Sequence, residues 1–258
     1  GEFPGPVKYG YMNVGVVDAA PDTPELVGRS VFCLYPHQDR YVVPAAAVVP
    51  IPESVPAARA VLAANVETAL NGVWDGGVGP GDRVVVVGAG VVGLLAARIA
   101  AGIPATEVSV VDPSPARERA ADALGLAWRS EPPGAADADV VLHASGTAAG
   151  ARSALSCAGV EATVVELSWF GTRDVPLPLG EAFHPGRLTL RSSQVGRIPP
   201  SRAPRWTHGR RMEAVMRLLE DDALDALVTE ESAFEDLPTT MPRLVEGAGE
   251  VLCHRVRY

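Results

Sequence analysis

Three glycines and a downstream aspartate are the residues of this sequence best suited to bind a phosphate-bearing ligand. Gly88, Gly90 and Gly93 follow four consecutive valines, and Asp112 ends the next apolar run, 19 residues after Gly93 (112 − 93). In such a turn the first two glycines let the backbone approach a pyrophosphate, and the third allows close helix–strand packing. The helix N-terminus adds free N–H groups and a partial positive charge. An acid about 20 residues further on binds ribose hydroxyls, so the spacing predicts dinucleotide binding and favours NAD over NADP. The alternative is that Asp112 caps the next helix.

Small and polar residues also follow the later predicted strands, where the carboxyl ends of a parallel sheet form a ligand-binding edge. The predicted cofactor contacts are Gly88, Gly90, Val91, Val92, Gly93, Asp112, Arg117, Ser145, Gly146, Leu167, Ser168, Trp169 and Ser193. Arg117 is expected along the adenine edge, with a solvated helix position as the alternative. His143 ends a predicted strand and is interpreted as a core or cofactor-loop residue rather than a metal ligand.

Alternating strand and helix patterns between residues 83 and 194 predict an α/β fold with a doubly wound parallel sheet. The predicted strands are Arg83–Val87, Glu107–Val111, Ala138–His143, Glu161–Leu167 and Arg187–Arg191, and the helices include Pro115–Leu124 and Ala148–Cys157. Before them, an alanine-rich helix from Pro56 to Trp74 is expected to follow a small β-barrel-like unit with strands Val14–Val17, Ser30–Leu34 and Arg40–Val43. After them come helices at Thr207–Leu219 and around Met241–Glu246, and a strand at Glu250–Cys253. This tail is expected to fold back onto the N-terminal unit.

The composition limits the classes of function. The 258 residues carry a net charge of −9, which argues against nucleic acid or an anionic membrane as the main partner. No run of 18 apolar residues predicts a transmembrane helix. Cys33, Cys157 and Cys253 are far apart and do not form a structural zinc pattern, so we expect free thiols in a reducing cytoplasm.

The order of these segments resembles the medium-chain dehydrogenase/reductases, in particular the zinc-type alcohol and polyol dehydrogenases. The similar segments are PVKYGYMNVGVV (residues 6–17), ANVETALNGVW (residues 64–74) and the glycine turn that begins at Pro80-Gly81-Asp82. The resemblance implies a Rossmann domain at residues 67–194 and an incomplete GroES-like catalytic domain from residues 1–66 and 195–258. It also implies that about 50–60 residues of the usual catalytic domain are absent, through disorder, removal or loss in evolution. Because the first residue is glycine and the first methionine is Met12, we expect the sequence to begin inside a longer gene product.

The positions that hold catalytic zinc in that family are changed here. Tyr11 stands at the position of the family's histidine and Met12 at that of its glutamate, and neither is a good zinc ligand. Glu67 falls in the linking helix, where the family has a ligand, but one ligand of three does not make a site. The resemblance therefore implies NAD without secure zinc.

Without zinc, another group must handle the alcohol proton. Tyr11 is the first candidate, with Lys8 as a nearby positive charge and Glu67 as a base or as the partner of Tyr11. The alternative is that Tyr11 is a packed aromatic residue. The segment after Leu167 is expected near the nicotinamide, as a carboxamide contact or as an apolar wall.

These features predict a cytoplasmic oxidoreductase that interconverts a secondary alcohol and a ketone. The resemblance also implies a homodimer, formed through the edge strand near Arg187–Arg191. One alternative is a zinc-independent quinone or enoyl reductase, although such enzymes usually use NADPH and Asp112 counts against it. Another is a cofactor-binding partner protein with little catalysis of its own.

Overall fold

A three-stranded antiparallel sheet forms the N-terminal part of the chain in the computed structural model, which describes residues 7–247 and 249–258. Its strands are β1 (Asn13–Val16), β2 (Ser30–Cys33) and β3 (Val48–Pro50), in that spatial order. The predicted strand at Arg40–Val43 is wrong. Side-chain packing holds that segment in an irregular conformation, because the Tyr41 ring stacks on Tyr35 with 3.9 Å between centroids. Pro6, the first residue of the segment resembling the dehydrogenases, lies outside the described residues.

The predicted linking helix is two helices, α1 (Ala57–Ala60) and α2 (Ala63–Gly76). A tight turn separates them, in which the Leu62 N–H donates to the Arg59 carbonyl at 3.0 Å. Helix α2 ends at Gly77, which adopts the left-handed conformation (φ 69°) that favours glycine. Helix α2 therefore spans the predicted domain boundary at residues 66/67, and the domain division stays a prediction.

The central part of the chain is a six-stranded parallel sheet with helices on both faces. Its elements are β4 (Arg83–Val87), α3 (Val91–Ala101), β5 (Glu107–Val111), α4 (Glu118–Ala123), β6 (Ala127–Arg129), β7 (Ala138–His143), α5 (Ala148–Cys157), β8 (Ala158–Glu166) and β9 (Thr189–Ser192). The strand order is β6-β5-β4-β7-β8-β9. The predicted α/β fold with a doubly wound sheet is confirmed. Strand β6 was not predicted, because its three residues, Ala-Trp-Arg, form no apolar run.

Strand β4 shows why this sheet is covered on both sides. Val84 and Val86 belong to the larger core cluster, which includes buried residues of α2 and α3. Val85 and Val87 belong to a second cluster, which includes buried residues of α5. All four valines are at most 5% exposed. A continuous apolar strand is the sequence pattern of a parallel strand buried on both faces.

The C-terminal part contributes α6 (His208–Leu218), β10 (Val228–Ala233), α7 (Leu237–Val245) and β11 (Cys253–Arg257). Strands β10 and β11 pair in parallel. Strand β10 (Val-Thr-Glu-Glu-Ser-Ala) was not predicted because it is mostly polar, and β11 begins where the predicted Glu250–Cys253 strand was expected to end. The tail returns to the N-terminal unit as predicted, since the Tyr258 hydroxyl lies 2.9 Å from His37 Nδ1. In the described residues no helix has the length and apolar character needed to cross a membrane.

An ion pair between Arg59 and Asp225 predicts acid-sensitive stability. The Arg59 Nε and Nη2 donate to the two oxygens of Asp225 at 2.7 and 2.8 Å. This hydrogen-bonded guanidinium lowers the pKa of Asp225 below its ordinary value of 3.8. A depressed carboxyl pKa stabilises the fold above the unfolded-state pKa, and this contribution is lost as the pH falls through the folded-state value.

We therefore expect Asp225→Asn to flatten the decline in stability below about pH 4. Urea midpoints measured from pH 2.5 to 7 test this, with Asp222→Asn as the control on the same turn. An unchanged acid slope in Asp225→Asn would contradict the prediction.

Candidate functional site

The glycine turn between β4 and α3 has the shape that a pyrophosphate requires. A Cβ on Gly88 would lie 2.6 Å from the Ser145 nitrogen, and one on Gly93 would lie 1.9 Å from the Gly88 carbonyl oxygen. A Cβ on Gly90 would meet nothing within 4 Å. Gly90 is the N-cap of α3, and no side chain caps the first turn. Gly88 and Gly93 therefore permit close backbone packing. Gly90 leaves open space at a helix N-terminus, which fits a phosphate group.

Asp112 lies beside this turn, at the carboxyl end of β5. One carboxylate oxygen accepts from the Ala89 N–H at 2.8 Å, and the other accepts from the Ser114 N–H at 2.9 Å. Asp112 thus joins the glycine turn to the start of the next segment, but it does not cap the next helical turn, whose N-cap is Ser114. Each carboxylate oxygen accepts more than one hydrogen bond, so the residue also fits a ribose hydroxyl.

Arg117 is bonded to the C-terminal loop. Its guanidinium donates to the carbonyls of Gly249 and Glu250 at 2.9 and 3.0 Å. The arginine therefore fastens the segment before α4 to the tail. Its predicted adenine contact stays a prediction.

The ends of β7 and β8 carry a hydrogen-bonded group that includes three predicted contacts, Ser145, Gly146 and Ser168. His143 is fully buried and lies 2.6 Å from both Glu166 Oε2 (through Nδ1) and Ser145 Oγ (through Nε2). Glu166 Oε1 accepts from the Ser168 N–H at 2.8 Å, and the Ser168 hydroxyl accepts from the Gly146 N–H at 3.0 Å. The two loops that end these strands are therefore held together.

The remaining predicted contacts at this edge have different surroundings. Trp169 is 90% exposed. Leu167 packs against α2, where a Cβ on Gly72 would come within 2.6 Å of its side chain. The Ser193 hydroxyl donates to Asp75 Oδ2 at 2.7 Å, so it faces α2.

Tyr11 borders a cleft of about 1240 Å³ between the N-terminal unit, α1 and β11, and none of the predicted cofactor contacts lines that cleft. Tyr11 is 60% exposed, and Lys8 donates to Gln38. Tyr41 lines the same cleft, and burial together with the nearby Cys33 raises its pKa to about 12.

Glu67 is held in a buried ion pair that joins α2 to α6. Its Oε1 accepts from Arg211 Nε and Nη2 at 3.0 and 2.9 Å. Arg211 also donates to Asn71 Oδ1 at 2.5 Å and to the Val195 carbonyl at 2.6 Å, and is 1% exposed. In the described part of the chain no hydrogen bond joins Glu67 or Lys8 to Tyr11, so the catalytic roles of these three residues stay predictions.

The residues present do not fit a zinc ion. Within residues 7–247 and 249–258, no group of three histidine, cysteine, aspartate or glutamate side chains has metal-binding geometry. The carboxylate of Glu67 faces a guanidinium, which is a cation itself.

Sequence reasoning missed two features of this region. Glu166 was not recognised as the partner of His143, although His143 ends one predicted strand, Glu166 is the penultimate residue of the next, and the two are register partners in the sheet. Arg211 was not recognised either. It precedes Val215 by four residues and therefore lies on the buried face of α6, which was the available signal.

Comparisons with known proteins agree with this architecture. Residues 58–131 match the model of the alanine dehydrogenase/PNT C-terminal domain. An Escherichia coli K-12 L-idonate 5-dehydrogenase structure is 16% identical, with a TM-score of 0.77, and the match covers 97% of this chain and 85% of that chain. A short chain alcohol dehydrogenase from Escherichia coli CFT073, complexed with NADH, is 20% identical with a TM-score of 0.73, covering 93% and 80% of the two chains. An alcohol dehydrogenase from Thermus sp. ATN1 is 22% identical with a TM-score of 0.73, covering 96% and 85%. The chain therefore has the fold of these dehydrogenase structures.

Proposed function

We propose that this protein is an NAD-dependent oxidoreductase that interconverts a secondary alcohol and a ketone. The observation that carries the proposal is the open space at Gly90, at the uncapped N-terminus of α3 and beside Asp112. The bound nicotinamide would supply the chemistry of hydride transfer. Gly90, Val91 and Val92 would hold the pyrophosphate, and Asp112 would bind the adenosine ribose.

The protein's own residues would have to orient the substrate and move its proton. Tyr11 is the proton carrier predicted from the sequence, but none of the predicted cofactor contacts lines its cleft, so this role stays a prediction. No step of the proposal uses zinc, because the side chains around Glu67 do not fit the ion.

A second candidate is a dinucleotide-binding partner protein with little catalysis. It is favoured by the separation of the Tyr11 cleft from the predicted cofactor contacts and by the pairing of Glu67 with Arg211. Titration calorimetry with NAD and NADP, zinc analysis on the same sample and a panel of secondary alcohols separate the two. Micromolar NAD binding with turnover supports the oxidoreductase, whereas binding without turnover across the panel favours the partner protein. Failure to bind either dinucleotide would exclude both.

We further propose a cytoplasmic homodimer. The three cysteines are free thiols, which suit a reducing compartment. Strand β9 is the edge of the six-stranded sheet and all four of its residues are exposed, so it offers unpaired backbone groups to a second copy.

Asp112→Asn should change cofactor selectivity. Asparagine retains an oxygen acceptor for the Ala89 or Ser114 N–H but loses the negative charge that repels a 2′-phosphate. We expect the ratio of NAD affinity to NADP affinity to fall at least tenfold, or about 1.4 kcal/mol.

Calorimetric titration of both dinucleotides measures this ratio, with Asp122→Asn in α4 as the control for charge alone. An unchanged ratio in Asp112→Asn would remove Asp112 from the ribose site.

A further inference from the structure

A chain of hydrogen bonds runs from a half-buried carboxylate to the exposed edge of the sheet, between the ends of β7 and β8. Its members, which we call the strand-end network, are Glu166, His143, Ser145 and Thr147. Ser145 Oγ lies 2.6 Å from His143 Nε2 and 3.0 Å from Thr147 Oγ1. His143 is fully buried, whereas Thr147 is exposed. The network therefore connects a buried imidazole to the predicted cofactor edge.

The partners of each group give the network one direction. An ionised Glu166 carboxylate only accepts hydrogen bonds, so His143 Nδ1 must carry the proton that Glu166 Oε2 receives. In the neutral imidazole, Nε2 is then an acceptor, and the Ser145 hydroxyl donates to it. Ser145 Oγ in turn accepts from the Thr147 N–H at 3.2 Å. Every hydroxyl in this line points its proton toward His143.

Gly150 provides the space for this arrangement. A Cβ at this position of α5 would lie 2.0 Å from Ser145 Oγ and 2.8 Å from His143 Nε2. Gly150 has no positive φ to explain its presence. Its lack of a side chain is what allows the serine and the imidazole to meet.

We propose that the strand-end network is a proton relay for the proposed hydride transfer. Oxidation of an alcohol to a ketone releases a hydride, which the proposed cofactor accepts, and a proton from the hydroxyl oxygen. Thr147 Oγ1 takes that proton while its own proton moves to Ser145 Oγ and the Ser145 proton moves to His143 Nε2, so both hydroxyl groups are left unchanged. The resulting imidazolium is stabilised by Glu166, and ketone reduction runs the same transfers in reverse.

The charged groups around His143 agree with this role. Glu166 of β8 contacts the imidazole directly. From the following loop, Phe170 stacks at 6.2 Å between ring centroids, and the Arg173 guanidinium lies on the Phe170 ring at 5.8 Å. Helix α5 presents Gly150. The nearest opposite charge to a protonated His143 is therefore the Glu166 carboxylate.

The relay rests on the proposed function, but its first test needs neither substrate nor cofactor. Nitrogen-15 NMR of the histidine rings in the full chain reports which nitrogen carries the proton. We expect the neutral His143 ring to be the Nδ1–H form, with Nε2 as the hydrogen-bond acceptor. Ser145→Ala should move the Nε2 resonance, and Ser156→Ala, an exposed position on the neighbouring helix α5, should not. A neutral Nε2–H form, or an Nε2 resonance indifferent to Ser145→Ala, would overturn the relay.

Addition of NAD separates this proposal from the proposed function. If NAD binds by calorimetry and moves the Nε2 resonance of His143, the relay reaches the cofactor edge as proposed. If NAD binds and the His143 resonances stay unchanged, the relay is overturned while dinucleotide binding stands. If NAD does not bind, the proposed function fails and the relay loses its role, whatever the form of His143.

Discussion

Gly90→Ala is expected to weaken NAD binding at least tenfold and to leave the fold in place. The new methyl group would meet no atom of the protein within 4 Å and would project into the space assigned to the pyrophosphate. Gly90 has extended backbone angles (φ −77°, ψ 179°), which alanine adopts without strain. Losing glycine at an N-cap costs up to about 1 kcal/mol of stability. Calorimetry and urea unfolding measure the two effects separately.

Two further glycine substitutions serve as controls for the effect of Gly90→Ala on NAD binding and stability. Gly93→Ala puts a methyl group against the Gly88 carbonyl, so we expect both binding and about 1–3 kcal/mol of stability to be lost. Gly134→Ala adds a methyl that also meets nothing, but in a loop far from the turn in sequence, and should change neither. Full NAD affinity in Gly90→Ala would contradict the site.

Arg211→Met is expected to lower the free energy of unfolding by about 3–5 kcal/mol, the usual cost of removing one partner of a buried ion pair. The substitution leaves the Glu67 carboxylate, Asn71 Oδ1 and the Val195 carbonyl without their donor. At side-chain exposures of 2% for Arg211 and 11% for Glu67, water cannot fully replace these bonds. Urea unfolding followed by tryptophan fluorescence measures the loss.

The double variant Glu67→Leu with Arg211→Met is the matched control. Replacing both charges by apolar side chains of similar size is often neutral, so most of the lost stability should return. If Arg211→Met alone lowers the free energy of unfolding by less than about 1 kcal/mol, the ion pair does not stabilise the packing of α6 on α2.

Much of the fold could be predicted because its signals are local. The valines of β4, the turn at Gly88–Gly93 and the alanines of α5 each specify an element within a few residues, and the predicted bounds of β4, β5, β7 and α5 are confirmed. Strands β6 and β10 could not be predicted in this way. Both lie outside the centre of the main sheet and are short or polar, so their pairing depends on neighbours from elsewhere in the chain.

The candidate site was predictable only where one segment forms it. The glycine turn and Asp112 follow from one strand–turn–helix–strand pattern. The partners of Glu67 and His143 come from other elements: Arg211 comes from a helix 144 positions away, and Glu166 follows His143 by 23. The family resemblance placed Glu67 in the linking helix, but it carried no information about a cation already beside it.

The pairing of Glu67 with Arg211 also has a consequence for biosynthesis. Central strand β4 is made before its neighbours β5 and β7, so the sheet can grow outward on both sides as the chain emerges. The Glu67 carboxylate, in contrast, has no cation to pair with at this stage, because Arg211 is synthesised 144 residues later. At about 5–20 residues per second this is a delay of roughly 7–30 s. During that interval the Glu67 carboxylate of α2 must remain hydrated. It is buried only when α6 packs against α2 and brings Arg211 to it.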